Sequence, residues 1–177
     1  MSTMGFDPTG RLLLTPDDPD APARAERLRE LGVGGAPDPA FDAAARDLAR
    51  LAGTPFALVN FIGEREQFFA GLYAAPGEGT GRTMPRDRGF CPYVVVRRKA
   101  LVLDDVGDYP RFAGNPLVDE EGIRSYLGAP LLDADGRALG TVCVLDRLPR
   151  PWGRAGLESI KAAAAELSGR ILAGKTP

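Results

Sequence analysis

Apolar residues along this chain follow two rhythms, and the rhythms divide it into elements. Phe41, Ala44, Ala45, Leu48, Leu51 and Ala52 recur at three- and four-residue steps, which predicts one face of a helix over 39–52. Asp38 caps its start, Pro39 suits its first position, and Gly53 fits its end. Leu157, Ile160, Ala164, Leu167 and Ile171 predict another amphipathic helix, over 153–172. A shorter helix is expected at 21–31, with Pro22 in its first turn and Gly32 just beyond its end.

Short apolar runs bounded by turn residues predict strands. TPFALVNFIG (54–63) is apolar almost throughout and belongs in the middle of a sheet, with FFAGLY (68–73) as its hairpin partner. ALVLDD (100–105) is a short strand. SYLGAPLL (125–132) and ALGTVCVL (138–145) flank an Asp-Gly turn, which makes them a second hairpin. The Gly, Pro and Arg content of 74–89 predicts a loop, and 108–123 a loop with one helical turn. FCPYVVVRRK (90–99) is ambiguous, its valines favouring a strand. Residues 1–20 predict an irregular arm whose leucines at 12–14 could dock on a single domain spanning 21–177. Hairpins imply antiparallel neighbours, so the fold class is α+β, with helices packed on an antiparallel sheet.

Composition narrows the chemistry more than the fold. The net charge is −2 with 22 basic and 24 acidic side chains, so neither nucleic acid nor an anionic membrane is expected as a partner. No stretch approaches the roughly 18 apolar residues of a membrane span. The first residues lack a signal-peptide pattern, and a cytoplasmic location is expected. There is no histidine. That excludes Ser-His-Asp and Cys-His catalysis within the chain, and no His-ligated haem or metal is expected. Two cysteines, Cys91 and Cys143, are too few for a structural zinc site.

PRDRGFCPY at 85–93 precedes the loop DDVGDYPRFAGNPLVDEEGI, then SYLGAPLL, the DADG turn and ALGTVCVLD. This succession resembles the GAF family of small-molecule-sensing domains, of the stand-alone actinobacterial type, over about residues 38–173. The resemblance implies a central antiparallel sheet of about six strands. It places terminal helices on one face and a cover helix, here 90–99, with loops on the other. It also implies a ligand cavity between the sheet and a cover made of 74–98 and 106–122. The terminal helices pair two copies in many such domains, which makes a homodimer an expectation here, although their apolar stripes serve first to cover the sheet.

Several residues are candidates for that cavity. Cys91 falls near the start of the cover helix, close in sequence to Arg86 and Arg88. A helix N-terminus and neighbouring cations both favour thiolate, which makes Cys91 a redox candidate; a small buried hydrophobe is the plainer role. Cys143, mid-strand between valines, reads as core, and its separation from Cys91 is open at this level. Asn60 is a polar residue in an apolar strand and needs partners, from a ligand or from backbone. Phe68 and Phe69 point to opposite faces, and Phe68 is taken as the cavity residue. Arg86 could meet an anionic group or pin its own loop against Asp87. Tyr93 stands where similar sequences carry a His after FCx, which removes a titratable group. Arg111, in an aromatic loop, and Tyr126, opening the late hairpin, complete the set.

The expectation is a non-catalytic sensory domain that binds a small molecule and signals to a separate, unidentified protein. An alternative is a thiol-based redox sensor acting through Cys91. A third is an enzyme resembling the free methionine-(R)-sulfoxide reductases. Cys91 in GFCP matches a cysteine of that family, but the loop that should carry the attacking cysteine reads RFAGN. The Asn-Lys…Phe…Asp-Glu signature of cyclic-nucleotide-binding relatives is not assembled, though Asp119 and Glu120 are present.

Overall fold

The computed structural model describes residues 4–6, 12–14 and 16–174. Its centre is a six-stranded antiparallel sheet built from β3 (Phe56–Ile62), β4 (Glu66–Ala74), β5 (Thr83–Pro85), β6 (Leu101–Leu103), β7 (Ser125–Leu132) and β8 (Ala138–Asp146). The strand order is β5-β4-β3-β8-β7-β6, so the two predicted hairpins lie side by side and β3 meets β8 at the middle. Hydrophobic runs occupy these central positions because both faces of the sheet are covered.

Helices α1 (Ala21–Leu31), α2 (Pro39–Ala52) and α6 (Gly153–Leu172) cover one face. Phe41, Ala45 and Ala49 of α2 and Ile160, Ala164 and Leu167 of α6 pack there on Val59, Phe61 and Val142. Asp38 accepts a hydrogen bond from the Ala40 amide, as an N-cap should, and Gly32 and Gly53 end their helices in left-handed backbone. The opposite face carries α3 (Cys91–Arg97), α4 (Pro110–Ala113) and α5 (Pro116–Glu121). FCPYVVVRRK is therefore the cover helix despite its valines, because Pro92 removes an amide that an interior strand would need.

Three segments differ from their sequence reading. Thr83–Pro85 forms an edge strand within the expected loop, pairing with Glu66–Phe68. Residues 108–123 hold two short helices rather than one turn, each opened by a proline. In the arm expected to be irregular, β1 (Met4–Phe6) and β2 (Leu12–Leu14) form a separate two-stranded ribbon. The remainder of residues 1–15, and the docking expected of the leucine side chains, lie outside the described residues.

A charge cluster joins the two faces at the end of the sheet. Arg24 of α1 is 1% exposed, and its Nε donates to the Ala138 carbonyl at 2.7 Å. Asp18 accepts from both terminal nitrogens of Arg24, at 2.7 and 2.9 Å, and from Arg86 at 2.7 Å. A buried guanidinium is tolerable only with such pairing.

Candidate functional site

The sheet's cover face holds a polar cluster within apolar surroundings. Cys91 is the first residue of α3, which points its side chain down at β8. Its Sγ lies 3.2 Å from Tyr126 Oη and 3.8 Å from Cys143 Sγ, and accepts a hydrogen bond from Thr141 Oγ1 at 3.0 Å. Tyr126 fits because residue 128 is a glycine: a Cβ there would stand 2.3 Å from the phenol oxygen. Asn60 donates to Gln67 Oε1 at 2.8 Å, and Gln67 donates to the carbonyls of Pro85 and Arg88. Asn60 Oδ1 is buried with no hydrogen-bond partner among the described residues.

Burial opposes ionisation of Cys91, yet the donors Cys143, Thr141, Tyr126 and Asn60 outweigh it and lower its pKa to about 6. Cys143, with burial and the neighbouring Cys91 charge against it, is raised well above the ordinary thiol value. Cys91 is thus the first of the pair to ionise. Of the two causes expected, the helix start is in place, but the arginines are directed elsewhere: Arg86 turns to Asp18, and Arg88 pairs with Glu120. Arg86 pins its loop, as the plainer reading held, but against Asp18 rather than Asp87.

The remaining candidates scatter. Tyr93 stacks edge-on against Phe112, with ring centroids 4.8 Å apart, and burial raises its pKa while Arg111 partly offsets this. Arg111 itself is exposed. Phe68 is a correction: it packs against the core beneath α1, α2 and α6, while Phe69 faces the cover. A β-bulge after Val59 sets this register, placing Phe69 opposite Asn60, which alternation alone did not reveal.

An open cleft with room for about 110 Å³ lies between the sheet and the cover segments. Phe56, Leu58, Phe69, Met84 and Leu145 line it from the sheet; Thr80, Arg88, Leu117, Glu121 and Ile123 line it from the cover segments and the loop that follows them. Arg147 closes one side, standing 5.1 Å over the Phe56 ring and paired with Glu78 at 2.5 Å. Arg88 Nε is buried without a partner among the described residues. None of Asn60, Phe68, Arg86, Cys91, Tyr93, Arg111 and Tyr126 lines this cleft. Its lining comes one or two residues at a time from β3, β4, β5, α5, β8 and the loops between them, and no local pattern marks them. Among the described residues no cluster of three or more His, Cys, Asp or Glu could hold a metal, and no helix is long and apolar enough to cross a membrane.

Comparison with known proteins adds the following. Residues 36–171 match the family described as the GAF domain. A cyclic di-GMP phosphodiesterase of Pseudomonas aeruginosa is 40% identical over 98 residues, which is 55% of this chain and 16% of that protein. The chain therefore spans only a small part of that relative. A free methionine-R-sulfoxide reductase from Neisseria meningitidis, solved with its substrate, superposes with a TM-score of 0.63 at 19% identity, covering 99% of this chain and 98% of that one. The GAF domain of an Acinetobacter phosphoenolpyruvate-protein phosphotransferase superposes at 0.61 with 16% identity, covering 88% and 94%. At such identities the two structures show a shared fold and nothing finer.

Proposed function

The chain belongs to the GAF domain family, and from that premise we propose that it is a non-catalytic sensory domain whose small-molecule ligand enters the cleft between sheet and cover. The observation that carries this is a concave, mostly apolar surface with a buried donor beside it, Arg88 Nε, that has no hydrogen-bond partner among the described residues. An apolar body would lie on Phe56, Leu58 and Phe69, with an acceptor atom of the ligand meeting Arg88. Two ion pairs straddle the mouth, Arg88 with Glu120 and Arg147 with Glu78. Both join a cover segment to residues beside the cleft, so ligand entry biases the position of the cover. A partner protein would read that position.

A reductase reading gains little from the shared fold. Phe112 and its neighbours occupy the loop where that chemistry needs an attacking cysteine, and both cysteines here are buried elsewhere. Turnover of free methionine sulfoxide with a thiol reductant would restore it. Pairing of two copies through α2 and α6 belongs to the sensory reading, with Leu51 of α2, 77% exposed, at the contact. Sedimentation of Leu51→Asp should then show a monomer where the parent chain is a dimer.

The test of the ligand site is a metabolite screen by thermal shift, run on the parent chain and on Leu58→Trp, which fills the cleft. Native and denaturing mass spectra of fresh protein should also be compared for a co-purifying ligand. We expect a compound that stabilises the parent and not the filled variant. A broad screen without any stabilisation, or stabilisation unchanged by Leu58→Trp, would remove the cleft from consideration.

A further inference from the structure

We propose that Cys91 and Cys143 form a dithiol–disulfide pair that a hydroperoxide oxidises, fastening the cover helix to the centre of the sheet. This is a modification site independent of the ligand cleft. The two thiols are 52 residues apart in sequence, sit on different elements, and their sulfurs face each other at 3.8 Å. Neither is bonded to any other cysteine, and both are buried, so a partner thiol from a second chain has no route to displace this pairing. An S–S bond is about 2.05 Å long, so closing it needs the sulfurs to approach by less than 2 Å. Side-chain rotation at Cys91, with a small settling of the start of α3, supplies movement of that kind.

The surroundings are unequal in a useful way. Thr141, Tyr126 and Asn60 direct polar groups at Cys91, which makes it the nucleophile. Cys143, flanked by apolar neighbours on β8, retains its proton and acts second. The chemistry balances without any group beyond the oxidant. The Cys91 thiolate attacks one oxygen of the peroxide, the O–O bond breaks, and hydroxide leaves with its electron pair, taking up the proton released by Cys91. Cys91 is then a sulfenic acid. Cys143 sulfur attacks the Cys91 sulfur, the S–O bond breaks, and the departing hydroxide takes the Cys143 proton. Two thiols and one peroxide give one disulfide and two waters. Hydrogen peroxide is little larger than water, so ordinary opening of the cover admits it. Afterwards Thr141 and Tyr126 have lost the thiolate they addressed, and α3 is tied to β8.

The reduced full chain should be exposed to excess hydrogen peroxide, quenched, and weighed intact under denaturing, non-reducing conditions. The expected result is a monomer lighter by about 2 Da, with a Cys91–Cys143 cross-linked peptide on digestion. Thiol titration should fall from two to none, and a reductant should restore both. Cys143→Ser should instead hold a sulfenic acid at Cys91 that dimedone traps, while Cys91→Ser reacts far more slowly. The mass of the parent chain decides the question even if a variant fails to fold. A parent that only gains oxygen, forms cross-linked dimers, or keeps both thiols while a control protein thiol is consumed would overturn the proposal.

Discussion

Single residues in this protein are best understood by what stands against them. Cys91 looks in the sequence like a thiol activated by a helix start and by arginines, and in the fold neutral donors inside the core take the place of the arginines. An acid whose folded pKa is depressed adds stability that is full above its unfolded value and is lost as pH falls through the folded one. With the value lowered from 9.0 to about 6, the stability gap between the parent and Cys91→Ser should widen as pH rises across that interval. Urea unfolding under reducing conditions at several pH values would measure it; a constant gap would mean the thiol stays protonated. Gly128 makes the same point sterically. In Gly128→Ala the new methyl meets the Tyr126 ring, with Oη at 2.3 Å and Cζ at 2.6 Å. A loss of about 1–3 kcal/mol is expected from such overpacking. Part of it should return in Gly128→Ala/Tyr126→Leu, giving a non-additive double-mutant cycle in denaturant titrations.

At the scale of elements, α2 shows how closely helix and sheet are fitted. Gly71 on β4 lies directly beneath it, and a Cβ there would stand 2.6 Å from the Phe41 carbonyl oxygen and 2.7 Å from its carbon. That obstacle is backbone, which cannot turn aside as a side chain can. Gly71→Ala should therefore cost about 3 kcal/mol, at the upper end for overpacking. Asp38→Ala, which only removes a cap on the same helix, should cost about 1 kcal/mol. Chemical denaturation of the two variants gives the order directly; equal losses would contradict the close approach. The same elements show where sequence patterns work. The boundaries of α6 are those its periodicity implies, Gly153–Leu172, because a long helix repeats its apolar stripe many times. The strand at Thr83–Pro85 offers three residues and no stripe, so it was hidden in a Gly- and Pro-rich loop.

Across the whole molecule, the Arg24–Asp18–Arg86 cluster ties α1, the chain before it, the turn into β8 and the cover into one unit. Burial favours the protonated form of Asp18, but the hydrogen bonds from Arg24 and Arg86 prevail and hold its pKa below the ordinary 3.8. Its stabilisation is thus complete above that pH and is lost as pH falls below it. Asp18→Ala leaves Arg24 buried without its carboxylate and should cost about 3–5 kcal/mol near neutrality. The variant should also lose less than the parent does on further acidification below pH 4. Thermal unfolding of both chains from pH 7 to 3 tests this, and parallel curves would show that Asp18 is not the group responsible. No spacing rule links positions 18, 24 and 86, so the cluster was absent from the sequence reading.

What the sequence determined by itself was the α+β class, the two hairpins, the helices α1, α2 and α6 with the caps of the first two, and the family resemblance. These depend on periodicity and on turn residues a few positions apart, where local sterics and hydrogen bonding decide the backbone. Tertiary structure alone decided which chemistry meets which. It set Cys91 against Cys143, turned Arg86 to Asp18 and Arg88 to Glu120, and gave the cleft to Phe69 rather than Phe68. Each of those outcomes turns on a β-bulge, a glycine that admits a ring, or the packing of a helix on a sheet. Such contacts join residues tens of positions apart, and their partners are fixed only when the two faces of the sheet are buried together.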